Sequence, residues 1–325
     1  MRPQTRWTSV DLGLSSGDME LSPDTFSWLI AQAARLRASH GEVIGVPVLV
    51  EPTGEFFPDD FTLDHDGTER LLARLVSYTP LDEDLPLRVG FEEPEDTGKA
   101  GGGCGSGGCG TGGGSGGPTA RGRVISMDQG YGVVVDVRDA GSPVTLTTTL
   151  ARSVGTLVLA EGGEEVSPGE VGPVSEVCAA ALGLGILLLN GAAVYAKGCG
   201  GIKLHRATHL TVEESAATLA VFCRVYEHEP RRVKKHLEVT QAEAFDEALA
   251  WVDSNPVIVA QLRDTPELLE AGAFELSPPK GLLGRLFTRK VDAKTPAPTK
   301  RPRSAEEERK IARAKALVDE ALGNS

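Results

Sequence analysis

Leu146, Leu150, Val154 and Leu157 recur at three- and four-residue steps, so Thr145 to Ala160 is expected to form a helix with one apolar face. Its other face carries Thr147, Thr148, Ala151, Arg152, Gly155 and Thr156. The run from Glu176 to Ala196 is apolar almost throughout, which predicts a second buried helix beside the first. Upstream, Ser22, Pro23 and Asp24 make a helix start, Phe26, Leu29, Ile30, Ala33 and Leu36 its buried stripe, and Gly41 its expected end. Val43 to Val50 is rich in β-branched residues and predicts a strand. A helix over Asp66 to Ser77 and a strand over Leu85 to Phe91 follow, giving helix, strand, helix, strand. Arg123 to Ser126 and Tyr131 to Val137 are strand-like, and Ser142 with Pro143 opens the Thr145 to Ala160 helix. Thr211 to Glu214 reads as a capping box, followed by a core face of Val212, Ala216, Leu219, Ala220 and Cys223. Thr240 to Asp253, Pro256 to Leu262 and Pro266 to Ala271 predict closing helices. The fold class expected is α+β: a small mixed sheet with helices, followed by a mainly helical half.

Composition divides the chain further. Residues 1–20 are polar and aperiodic, an expected flexible arm, and residues 21–276 hold the folded domain. Within it, 92–121 is a glycine-rich insertion that supplies almost no side chains to pack. Residues 277–303 form a basic, proline-containing linker and 304–325 a charged helix. The net charge of −13 argues against nonspecific nucleic-acid binding. The N-terminus lacks the apolar stretch of a secretory signal, and the five cysteines follow no secreted-domain spacing, so a cytoplasmic protein is expected. Val177 to Ala196 is long enough to span a bilayer, but Asn190 and its many small residues favour a core helix; the basic patch at 280–290 is the other conceivable membrane contact.

Chemistry-bearing residues are few. Cys104 and Cys109 sit in the glycine insertion, where two thiolates converge without strain, so half a zinc shell, a redox pair and an inert linker are all open readings. His205 and His209 would share a face if their segment were helical, and Cys199 lies nearby; surface histidines are the alternative. Phe56 and Phe57, in a loop reading EFFPDD, are expected to lock that loop or, less simply, to line a binding site.

The segments EFFPD (Glu55 to Asp59), SPVTLTTTLARSVGT, LGLGILLLN (Leu182 to Asn190) and HLTVEESAATLAVF (His209 to Phe222) stand in one order over roughly residues 25 to 255. In that order they resemble a bacterial family of uncharacterised zincin-like proteins. In that pattern the helix reads L-A-H-E-L-G-H, two histidines binding zinc and the glutamate acting as general base. Here the frame reads Leu150, Ala151, Arg152, Ser153, Val154, Gly155, Thr156, and the position of the third ligand is Gly172, with Glu176 where the pattern has an aspartate. Arginine cannot ligate a cation, and serine and threonine hydroxyls are poor zinc ligands. The resemblance therefore implies a catalytically inactive zincin-like protein, without a cofactor at this helix, acting as a scaffold or adaptor for a protein partner. A metal or redox protein using Cys104 and Cys109 with Cys199, His205 or His209, with zinc at the Cys loop, is the alternative, and a membrane-associated protein a further one. The alternative reading of the helix, given less weight, is a core element that never held a metal.

Overall fold

A computed structural model describes residues 21–93, 123–198 and 201–279. Helix α1, Pro23–Ile44, starts as expected, with the Ser22 hydroxyl accepting from the Thr25 N–H and Pro23 at the first turn. It runs through Gly41 and stops at Gly45, whose φ of 61° is the left-handed conformation that glycine accommodates, and whose N–H donates to the Gly41 carbonyl. The strand expected over Val43 to Val50 does not form. Its first two residues belong to α1, and the rest is an extended segment with a single backbone bond to a buried neighbour, Val50 N–H to Gly183 O at 3.0 Å. Leu49 and Val50 are buried while Val46 and Val48 are exposed. Apolar character here comes half from the core and half from the surface.

Helix α2, His65–Val76, is capped by Asp64, which accepts from the Gly67 N–H. Strands β1 (Leu87–Glu92), β2 (Arg123–Ser126) and β3 (Tyr131–Asp136) form one mixed sheet in the order β1-β3-β2, with β1 parallel and β2 antiparallel to β3. β3 is the middle strand, and Val133 and Val135 are fully buried against the helices. After the short helix α3 (Val137–Ala140) comes α4, Pro143–Glu161, which packs on the sheet, on α2 and α3, and on the two helices of the apolar run that follows.

The apolar run is interrupted. It comprises α5 (Val171–Ala179), a π turn over Ala180–Leu184, and α6 (Gly185–Ala192), and the chain then turns into a hairpin of β4 (Val194–Gly198) and β5 (Gly201–His205). The π turn contains Gly183 at φ 92°. A Cβ at Gly183 would stand 2.0 Å from the Val48 carbonyl oxygen, so the extended segment can lie against the turn only because residue 183 has no side chain. The run Val171–Ala192 is long and apolar enough to cross a membrane, yet 78% of its most apolar window is buried inside the fold, which is compatible with a soluble protein.

Helix α7 (Val212–Val225) carries the expected capping box, with Thr211 and Glu214 each satisfying the other's backbone N–H. It packs on α1, α6 and α9 (Val239–Asp253), while α8 (Pro230–Lys234), α10 (Pro256–Asp264) and a 3₁₀ turn at Pro266–Leu268 close the unit. The buried Glu51 carboxylate accepts from Arg232 on α8 and bonds His236 just past it (2.8 Å), fixing the extended segment to the helical half. Burial alone would raise its pKa, but these hydrogen bonds outweigh that and hold it below the usual carboxylate range. The architecture is α+β, a three-stranded mixed sheet with helices followed by a mainly helical half. The arm 1–20, all but residues 92 and 93 of the 92–121 insertion, and the linker and helix expected beyond residue 279 lie outside the described residues.

Candidate functional site

Helix α4 was expected to have one buried face and one polar one. Much of the polar side is buried too: Leu146, Leu150, Val154 and Leu157 face the apolar core, and Thr148, Thr149, Arg152 and Ser153 are also withdrawn from water, while Thr147 and Thr156 are half-buried. Buried polar groups need partners, and these have them. Thr148 Oγ1 donates to the Val144 and Leu187 carbonyls, Ser153 Oγ to the Thr149 carbonyl, and Thr149 Oγ1 to the Asp139 carboxylate.

Arg152 is the one permanent charge on this face, and it is only 3% exposed. Its guanidinium donates to the Ala207 carbonyl at 2.9 Å and lies 3.7 Å from the Glu176 carboxylate. Glu176, on α5 and wholly buried, accepts from two successive backbone N–H groups, His209 at 2.7 Å and Leu210 at 2.8 Å. The cation, the carboxylate and the turn at residues 207–210 thus close on each other. Burial pushes the Glu176 pKa up to about 7, against the opposing pull of Arg152 and the two N–H donors.

Thr156 donates to Ser175 Oγ at 2.9 Å and to the Arg152 carbonyl. Gly155 brings α4 against α5 so closely that a Cβ would stand 2.1 Å from the Ser175 carbonyl oxygen. At Gly172 a Cβ would stand 2.5 Å from the His209 ring, which lies directly on that glycine. A ligand-bearing side chain at residue 172 would therefore have to displace His209.

The paired-histidine geometry expected of His205 and His209 does not occur. His205 ends strand β5, with Nε2 3.9 Å from the buried Asp139 carboxylate, whereas His209 lies past the strand in the turn held by Glu176. A helical i, i+4 spacing is lost once the segment is a hairpin. Cys104, Cys109 and Cys199 lie outside the described residues. Cys178 and Cys223 are buried core thiols, both pushed up to about 12 by burial, which leaves almost no thiolate at neutral pH. Among the described residues, one trio of metal-capable side chains converges, His65, Asp66 and Glu69 at the surface, and it includes none of the expected ligands.

Phe56 is the loop lock: it is buried, stacks edge-on to Tyr78 at 5.7 Å, and its carbonyl accepts from the Tyr78 hydroxyl. Phe57 has a different role, forming one wall of a cleft of about 330 Å³ between the 52–61 loop, α2, the first turns of α4, and α6. Arg70, Arg74 and Asn190, which border the cleft, were not singled out as binding residues. Asn190 carried a signal, being the only polar side chain in the run Leu182 to Asn190. Comparison with protein-family models, curated proteins and solved structures finds no match.

Proposed function

We propose that the chain is a catalytically inactive zincin-like protein that acts in the cytoplasm by binding a protein partner, as a scaffold or adaptor. The observation that carries this reading is the Arg152 guanidinium, buried in the frame where the resembling helix has a zinc ligand and closed onto Glu176 and the Ala207 carbonyl. A fixed cation there repels a divalent ion, and no neighbouring group on the helix can replace the lost chemistry. Ser153, in the general-base frame, is buried with its hydroxyl donated to its own helix, and Thr156 is bonded to Ser175. Lewis acid, activated water and base are lost together.

Binding through the surface is supported by Val43, Val46 and Val48, which are 69%, 81% and 53% exposed at the end of α1 and just past it. Exposed apolar side chains crowded into six residues suit coverage by a partner. The test uses purified full-length protein in two assays. No chelator-sensitive hydrolysis of a peptide or casein is expected, and a partner captured by the wild type is expected to be lost with Val46→Asp. Chelator-sensitive hydrolysis would overturn the reading.

A further inference from the structure

The cleft bordered by Phe57 has the size and lining of a small-molecule site. Phe57, Leu71, Val144 and Leu187 supply apolar walls from four different elements. Asn190 brings an amide to the cleft from an otherwise apolar helix. At roughly 30 Å³ per non-hydrogen atom, the volume suits a ligand of about ten to fifteen such atoms.

Four charged side chains border the same space, and they are not equivalent. Arg74 and Asp59 neutralise each other, with two guanidinium nitrogens on one carboxylate oxygen at 3.0 and 2.7 Å. Arg70 gives one N–H to the Thr62 hydroxyl, at 2.9 Å, and has no carboxylate within ion-pair distance among the described residues. Its neighbour Asp64 accepts from the Gly67 N–H and the Thr62 hydroxyl, and these bonds, with a weaker pull from Arg70, hold its carboxyl below the usual range. Asp60 likewise makes no ion pair among the described residues. At this border one cation and one anion thus have no carboxylate or cation at ion-pair distance among the described residues, and both are exposed to an arriving ligand.

We propose that this cleft binds a small zwitterion with an apolar body, an apolar α-amino acid or a dipeptide of apolar residues. Its ammonium group pairs with Asp60 and its carboxylate with Arg70, while its side chain enters between Phe57, Leu71, Val144 and Leu187. A plain hydrocarbon would leave both charges unanswered, and a simple anion would answer only one. The cleft contains none of residues 152, 153, 156 and 172, so this site stands or falls separately from the inactive-zincin reading.

The experiment is calorimetric titration of the full chain with L-phenylalanine and with L-alanyl-L-leucine, each also as its N-acetyl and its C-terminal amide form. The two free ligands distinguish an amino-acid site from a dipeptide site, and binding of either with a dissociation constant below about 1 mM supports the proposal. Capping either end is expected to weaken binding about tenfold, the scale of one charge-assisted hydrogen bond. Asp60→Asn should remove the penalty for the acetyl cap alone, and Arg70→Gln the penalty for the amide alone. Both residues are exposed, so both variants should fold. Equal binding of free and capped ligands, or no binding of either free ligand, would overturn the proposal.

Discussion

Arg152 and Glu176 are each other's reason for being buried. Taking either charge out of water is costly, and the pair persists because Ala207, His209 and Leu210 supply hydrogen bonds as well as the countercharge. Glu176 ionises less readily in the fold than in the unfolded chain. Its contribution therefore favours the fold fully at acid pH, below the ordinary carboxylate value, and is lost as pH rises through about 7. Arg152 opposes that loss, so Arg152→Met should cost roughly 3–5 kcal/mol at pH 8, where the carboxylate is left without its cation. At pH 5, with Glu176 largely protonated, the cost should be clearly smaller. Urea denaturation of both proteins at the two pH values measures this; equal costs would mean that the pair is not electrostatically coupled. That arginine, serine and threonine are poor zinc ligands is a matter of side-chain chemistry and needs no fold. The role of Glu176 was not legible in the sequence, because its partners are two backbone N–H groups that follow it by more than thirty residues.

Among the elements, those with a strong local signal came out nearly as read. The Thr211 to Glu214 capping box, the Ser22 cap and the 3.6-residue period of α4 are written within a few residues of chain. Two elements were misread for one shared reason. Val43 to Val50 looks like a strand and Val177 to Ala196 like one continuous helix, but the extended segment lies on the helical run at Gly183 and a π turn interrupts the helix there. Contact between segments more than a hundred residues apart leaves no trace in local periodicity. Only the glycine marks it. Gly183→Ala should destabilise the protein by about 2 kcal/mol or more, since it combines a positive φ with a collision against the Val48 carbonyl. Thermal and urea unfolding measure the loss; a variant as stable as wild type would show that the segment is free to move off the turn.

At the scale of the whole molecule, the α+β class and the order of its parts were readable, because sheet and helices follow one another along the chain. The cleft was not, since its walls come from a loop, two separate helices and the first turns of α4. Phe57 could be flagged in sequence, but Arg70 and Asp60 matter only because neither has an ion-pair partner among the described residues, a property of the fold. The same distinction governs the helix around which the domain packs: its apolar period shows that it is buried, while only the fold shows its polar face sealed by α5 and the turn at 207–210. The central claim is that this sealed face holds a fixed cation in place of a metal. Its most direct test is the zinc content, by elemental analysis, of protein purified without chelator and carrying Cys104→Ser and Cys109→Ser, so that the glycine-rich insertion cannot contribute. No stoichiometric zinc is expected; one equivalent per chain, lost on substitution at Arg152 or Glu176, would contradict it.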